Sequence, residues 1–338
     1  MANAIEKLNT IAIADIEAIN GKTDANIQAL NTLELTGGFS FGSLTWSTYT
    51  VAPWSGGGAM KIGTGATGAA TEGQSTSVEE WASGSWSAGG STSVMHGQGH
   101  SGGSLAAGVM YAGYDGSDES TVCEEYNGTS WSTSASVTGA LTTGHAYASG
   151  GGYLQTAQLI TGGYSFSPTV NNITTTQTYN GSTWTNVGVS SSGFSQAGVV
   201  GTTDNFVMIN GDEDGQEFTP TAAQWDGSAW NALADSPTGG YEMMSFGVET
   251  RAFKAGGRSS NTLGAPNYFA LQSNVEMWVS DSWSTETALP AAQSNCGQGG
   301  GEGAGGSDGI AGWTAAGFTR SGSTSTTINT HYIAEEGG

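Results

Sequence analysis

The chain has few positive charges. Lys and Arg together number 7 in 338 residues, against 29 Asp and Glu, for a formal net charge of −22. A nucleic-acid surface needs a basic footprint to displace counterions, and seven cations do not supply one. An anionic membrane face repels the chain for the same reason. Charge of either sign is scarce: Asp, Glu, Lys and Arg make up 11% of residues, against roughly 25% in an ordinary soluble protein. There is no apolar run of about 18 residues, so no membrane-spanning helix is expected. The N-terminus carries Glu6 and Asp15 and lacks the basic start of a secretory signal. The only two cysteines, Cys123 and Cys296, match no CxxC spacing and build no disulfide framework.

Glycine and aromatics are plentiful. Gly occurs 56 times, with 11 Trp, 11 Tyr and 10 Phe spread along the chain. A disordered Gly/Ser tail does not carry 9% aromatic residues, because each of these side chains has a large area to bury. Low charge with regularly spaced aromatics predicts an all-β fold with tight turns.

The aromatics form a repeat. An aromatic residue is followed five positions later by Trp in Trp81/Trp86, Tyr126/Trp131, Tyr179/Trp184, Trp225/Trp230 and Trp278/Trp283. Turn signals such as Asn127-Gly128, Asn180-Gly181 and Asp226-Gly227 lie between the partners. This predicts a β-hairpin in each copy. Upstream lies a short apolar strand ending in Gly: VMYAGY (109–114), LITGGY (159–164), VMINGD (207–212), AFKAGG (252–257) and WTAAGF (313–318), with 65–73 in the same place before Trp81. Upstream again is a small-residue strand, as in 145–150, 195–201, 241–247 and the Gly-rich 297–305. Each unit thus reads as four strands, a to d, over roughly 45–53 residues, the signature of one propeller blade.

There are six b strands and only five aromatic pairs. The chain ends after a c strand around His331 or Tyr332, while Trp46 in LTWSTYTV (44–51) reads as a d strand with no c strand before it. Joined, the two ends complete a sixth blade and remove the last open sheet edge. The expected fold is an all-β, six-bladed β-propeller closed by both termini, over residues 36–338. Glycine fits strand a, where blades converge, and the aromatic pairs are expected to fill the spaces between blades.

Residues 1–35 follow another rule. IEKLN (5–9), IEAIN (16–20) and IQALN (27–31) recur every 11 residues. Their apolar pairs, Ile5/Leu8, Ile16/Ile19 and Ile27/Leu30, each share a helical face. Asn20-Gly21 interrupts the pattern, so short helical turns are expected. The stripe needs a partner surface or copies of itself. Capping the propeller base is the plainer use.

The Gly-ended strand followed by an aromatic and a Trp resembles the repeats of kelch and galactose-oxidase-type propellers, over about 85% of the chain. That likeness implies a fold and not a function. Ile19-Asn20-Gly21 and Ile27 to Asn31 resemble the N-terminal leaders of structural proteins of marine tailed phages. This second likeness implies an N-terminal anchor to other virion proteins, with Ile5, Leu8, Ile16, Ile19, Ile27 and Leu30 as its contacts. It also implies a position on the virion surface after assembly in the host cytoplasm, and an oligomeric state set by the attachment site.

No catalytic set is apparent. A galactose-oxidase-like copper site needs Tyr, His and Cys together. The four histidines are His96, His100, His145 and His331. His100 and His145 each follow a Gly and align with Phe194 and Tyr241, which marks a packing position. HGQGH (96–100) has helical ligand spacing in a Gly-rich strand or loop, so neither copper nor zinc is expected. Arg251, Arg258 and Arg320, the only arginines, fall in or just after the b strands of the last two units, and a sialidase-type carboxylate cluster built from them is not the expected reading. The acidic turns DGSDES (115–120) and DEDGQE (212–217) fall short of a calcium loop and read as solvated hairpins. The Gly runs lack a following Lys-Ser/Thr and cradle no phosphate.

The expected function is a virion structural protein, not an enzyme, without cofactor or metal. It displays a β-propeller as tail fibre, adhesin, or head or tail decoration, for contact with host glycans or proteins. The alternatives are an intracellular kelch-type adaptor and a polysaccharide-acting propeller enzyme.

Overall fold

The structure, a computed structural model, describes residues 44–55, 60–63, 67–72, 75–136, 145–165, 171–190, 194–202, 204–213, 217–218, 220–248, 250–259, 270–294, 311–321 and 324–336. The anchor residues Ile5 to Leu30 and Cys296 lie outside the described residues. Those described contain strands and turns and no helix.

Five sets of four antiparallel strands follow one another. The first sheet is Lys61–Gly63, Thr67–Thr71, Ser77–Ala82 and Ser85–Ser91. The second is His100–Gly103, Gly108–Tyr111, Val122–Tyr126 and Trp131–Ser136. The third is Ser149–Leu154, Ala157–Thr161, Thr175–Tyr179 and Trp184–Val189. The fourth is Gly198–Thr202, Asn205–Ile209, Ala222–Trp225 and Trp230–Ala232. The fifth is Met244–Val248, Arg251–Ala255, Val275–Val279 and Ser282–Glu286. Every one is a meander in the order a-b-c-d. A sixth sheet joins the chain ends: Ala311–Ser321 pairs with Thr324–Glu336, which pairs in turn with Leu44–Thr48.

All five aromatic pairs are direct cross-strand partners in their c–d hairpins. The turns between them take two forms. Ser83-Gly84 and Ser280-Asp281 put both central residues at positive φ, the mirror-image turn that suits strand twist. In the other three, a side-chain oxygen of Asn127, Asn180 or Asp226 accepts hydrogen bonds from the backbone N–H groups two and three residues on. A glycine follows each with φ near +88°.

The first strands of neighbouring sheets lie close together. Gly150 and Gly198 pair in parallel, merging the third and fourth sheets into one of eight strands. A Cβ on Gly102 would stand 2.0 Å from the Gly152 carbonyl oxygen. No side chain fits there, which accounts for glycine in strand a.

Each c-strand aromatic packs back onto the preceding sheet. Tyr126 meets Ile62 and Val78, Tyr179 meets Val109 and Tyr111, Trp225 meets Leu159, and Trp278 meets Val200 and Val207. Trp81 meets Ile333, and its ring stands 4.4 Å from that of His331 on the sixth sheet. The core is therefore a series of inter-sheet layers.

The d-strand tryptophans add a directional bond. Trp283 Nε1 donates to Ala234 O at 2.8 Å, four residues beyond the preceding d-strand Trp230. Trp46 donates to Thr287 O at 2.9 Å, four beyond Trp283, and Trp86 to Thr50 O at 3.1 Å, four beyond Trp46. The sheet made from both chain ends is bonded to its neighbours on either side by the contact that joins the fifth sheet to the fourth, whereas Trp230 of the fourth sheet donates to the Thr176 hydroxyl.

Candidate functional site

Strand pairing fixes which residues of the sheets are equivalent. Just before strand a, Gly97 bridges Tyr114, Ala146 bridges Tyr164, Ser195 pairs with Asp212, and Tyr241 bridges Arg258. His96 and His145 are therefore equivalent, with Phe194 and Gly240 in the next two sheets. The expected alignment of His145 with Phe194 stands, but His100 was four residues and Tyr241 one residue out. His100 corresponds instead to Ser149, Gly198 and Met244, the residues that open strand a and pair with the end of strand b.

With that register, a buried polar position two residues before the c-strand aromatic becomes legible in the second, third and fifth sheets. Glu124, Gln177 and Glu276 occupy it, and all are buried. His96 Nε2 lies 3.0 Å from Glu124 Oε2, while its Nδ1 lies 2.9 Å from Ala112 O. His145 Nε2 lies 2.9 Å from Gln177 Nε2, and its Nδ1 3.0 Å from Gly162 O. In the fifth sheet the histidine position is Gly240, and Lys254 on the neighbouring strand fills the vacated place. Its ammonium lies 2.9 Å from Glu276 Oε2. It also donates to the carbonyl and hydroxyl oxygens of Thr238. Thr238 and Asn274 both donate to Glu276 Oε1.

These pairs are internal supports. Burial raises the Glu124 carboxyl, but hydrogen bonds from His96 and the Ser93 backbone outweigh it and hold the group below its ordinary value. Burial lowers Lys254, with Glu276 opposing. Both side chains of this pair are at most 3% exposed, so removing one strands the other. Lys254→Met should destabilise the protein by about 3–5 kcal/mol. Lys254→Met with Glu276→Leu should recover most of the loss, read as urea midpoints. A single variant no weaker than the double would exclude a real ion pair.

His100 is buried, with Nε2 2.9 Å from Ala148 O. His331 is buried between Trp81, Trp86 and Tyr49, at ring distances of 4.4, 5.1 and 5.8 Å. Burial lowers both of them, and His145, to a pKa of about 4. Among the described residues no group of three or more His, Cys, Asp or Glu is placed to hold a metal ion.

The turn DGSDES is a capped loop. Asp115 Oδ1 accepts from Ser117 N, Ser117 Oγ and Asp118 N, all within 2.9 Å. Those bonds hold its carboxyl below the ordinary range. The side chains of DEDGQE and of Arg320 lie outside the described residues. Arg251 and Arg258 stand at opposite ends of one strand and its extension, so they do not converge. Arg251 is buried with its guanidinium 5.8 Å from the Phe253 ring centre.

One arrangement was not legible in the sequence. Gln98, Tyr147, Gln196 and Glu242 follow the four bridging residues, one per sheet. All have left-handed backbones, at φ of 56°, 54°, 55° and 52°. Tyr147, Gln196 and Glu242 are linked around the inner ends of the third, fourth and fifth sheets. Gln196 N donates to Tyr147 O at 2.9 Å, and Glu242 N to Gln196 O at 3.3 Å. Gln196 Nε2 lies 3.4 Å from Glu242 Oε1. Equivalent residues of successive sheets come this close only where the sheets converge. The row continues into Arg258, whose Nε is 2.6 Å from Glu242 Oε2 and 3.1 Å from Ser294 Oγ. Burial raises the Glu242 carboxyl, with Arg258 and Gln196 opposing. This polar inner row, from Gln98 to Arg258, is the candidate site.

No family model and no curated protein matches the chain. Among solved structures it is similar to the structure of YjhT, with a TM-score of 0.64 at 14% identity. The match covers 83% of this chain and 95% of that one. At that identity the likeness speaks for the fold alone.

Proposed function

We propose that the chain is a virion surface protein in which residues 1–35 anchor to other virion proteins. Residues 36–338 then form a six-bladed β-propeller, closed by both termini, that contacts the host surface. One observation carries the reading. Leu44–Thr48 completes the sheet of the C-terminal hairpin, and Trp46 makes the same inter-sheet bond as Trp283. That supports a ring without a free sheet edge.

A binding role fits the buried groups better than a catalytic one. His96 is committed to Glu124 and a backbone carbonyl, and His145 to Gln177 and another. His100 is held by a carbonyl, and His331 is packed among aromatic rings. A general acid or base must reach a substrate proton, and these four imidazoles are directed inward.

The test is mass spectrometry of purified particles, followed by assembly with a 1–35 deletion. The full chain should be recovered in particles and the deleted chain lost from them, although still folded. A full chain absent from particles, or a deleted chain retained in them, overturns the anchoring reading and favours the intracellular adaptor.

A further inference from the structure

Two of the left-handed positions that recur in the second to fifth sheets are filled differently. The one just after strand b holds Ala112, Gly162, Asn210 and Gly256. Small residues or Asn suit that conformation. The one just before strand a holds Gln98, Tyr147, Gln196 and Glu242. A left-handed backbone disfavours any Cβ. Glycine removes the strain and is used at eighteen other positive-φ positions among the described residues. Large side chains are nevertheless kept at four equivalent, strained places. Strain retained in this way points to a use for the side chains.

Their chemistry narrows that use. The row presents two carboxamides, a phenol and a carboxylate–guanidinium pair, so donors and acceptors alternate. Gln98, Gln196 and Glu242 keep 7–8% exposure, Tyr147 keeps more, and the Arg258 side chain is 22% exposed. Tyr147 and Arg258 are thus the accessible members of the row, with Gln98, Gln196 and Glu242 buried beneath them. Arg258 is already neutralised by Glu242 at 2.6 Å. An anionic ligand would have to displace that carboxylate, whereas hydroxyl groups can bridge an intact ion pair and the amides beside it. Tyr147 adds a ring face suited to stack on a sugar.

We infer that the polar row Gln98–Tyr147–Gln196–Glu242–Arg258 is a binding site for a neutral saccharide. The inference rests on the host-contact reading and names its ligand class. It is read on the purified protein, so it fails or stands separately from attachment to particles.

The experiment uses the full chain with glucose, galactose, N-acetylglucosamine and the N-acetylglucosamine dimer as probes. Binding is followed by saturation-transfer NMR and calorimetry. At least one probe should bind the wild type. Gln196→Gly should weaken that binding at least tenfold with Tm unchanged or raised, because glycine relieves the backbone. Tyr147→Phe, which keeps the packing, should weaken it severalfold, so the conclusion stands even if the glycine variant melts lower. A carboxylated sugar should bind more weakly than its neutral counterpart. Three results would each overturn the assignment: no probe binds, both variants bind like the wild type, or the carboxylated sugar binds best.

Discussion

Deleting residues 326–338 should abolish cooperative folding of the whole β unit, not just fray one end. The deleted segment contains most of Thr324–Glu336, the central strand of the sixth sheet, which pairs with Ala311–Ser321 on one side and Leu44–Thr48 on the other. Without it, Leu44–Thr48 loses its ladder. Trp81 then loses Ile333 and the His331 ring, and the aromatic layer between the sixth and first sheets opens. The layer with the fifth sheet opens too, since Tyr332 and Leu44 pack there with Phe246 and Phe253. Two of the inter-sheet layers fail from one deletion. Removing even one large buried side chain costs about 3–5 kcal/mol, against a total stability of about 5–15 kcal/mol. The expected outcome is a near-UV dichroism spectrum without fine structure and no thermal transition. The 1–35 deletion is the control and should melt within a few degrees of the full chain. A C-terminal deletion that melts like the full chain would remove the argument for closure.

The parts of this fold legible in the sequence are those encoded locally. An aromatic, a turn signal and a Trp five residues on define a hairpin whose register is fixed by its own turn. Trp81 to Trp283 accordingly pair as the spacing required. The Gly-ended strands were equally plain, since an apolar run followed by a left-handed glycine is a local pattern. The link from strand d to the next strand a was not. His100 and His145 both follow a glycine, and that coincidence set the alignment. The true correspondence, His96 with His145, is visible only through the bridges of Gly97 and Ala146 to Tyr114 and Tyr164. The inner polar row was hidden for a related reason. Gln98, Tyr147, Gln196 and Glu242 occupy a backbone conformation that sequence rules assign to glycine, so nothing in their residue types announces it. The Lys254–Glu276 pair was hidden because the lysine stands in for a histidine from another strand.

The second large effect is acid lability with a defined window. His100, His145 and His331 are all buried, and burial lowers each from the usual value near 6.5 to about 4. For His100 the nearby His145 adds to the lowering, while hydrogen bonds to backbone carbonyls oppose it. A histidine with a depressed folded pKa is protonated first in the unfolded chain. Its contribution is therefore complete above about pH 6.5 and is lost as the pH falls toward 4. A depression of this size corresponds to about 3 kcal/mol per histidine. Three together are comparable with the whole stability of an ordinary domain. Glu242 and Glu79 work the other way, since their raised pKa values favour the folded state as they take up protons. Glu124 joins the histidines at the low end, because its lowered carboxyl loses its contribution only as the pH falls below the ordinary carboxylate value. Urea midpoints measured from pH 7.5 to 4.5 should hold steady to about pH 6.5. Below that the stability should fall with a slope approaching 4 kcal/mol per pH unit, the limit for three protons. His145→Gln and His100→Gln will each lower stability at pH 7.5 by removing a buried hydrogen bond. The informative quantity is the slope, which uniform destabilisation leaves alone. Each variant should flatten the slope by about a third and the double variant by about two thirds, because linkage counts protons and not contacts. A wild-type profile flat between pH 6.5 and 4.5, or variants as steep as the wild type, would mean that these imidazoles are protonated in the folded protein. For His331 the faces of Trp81 and Trp86 would then be holding a cation instead of excluding one.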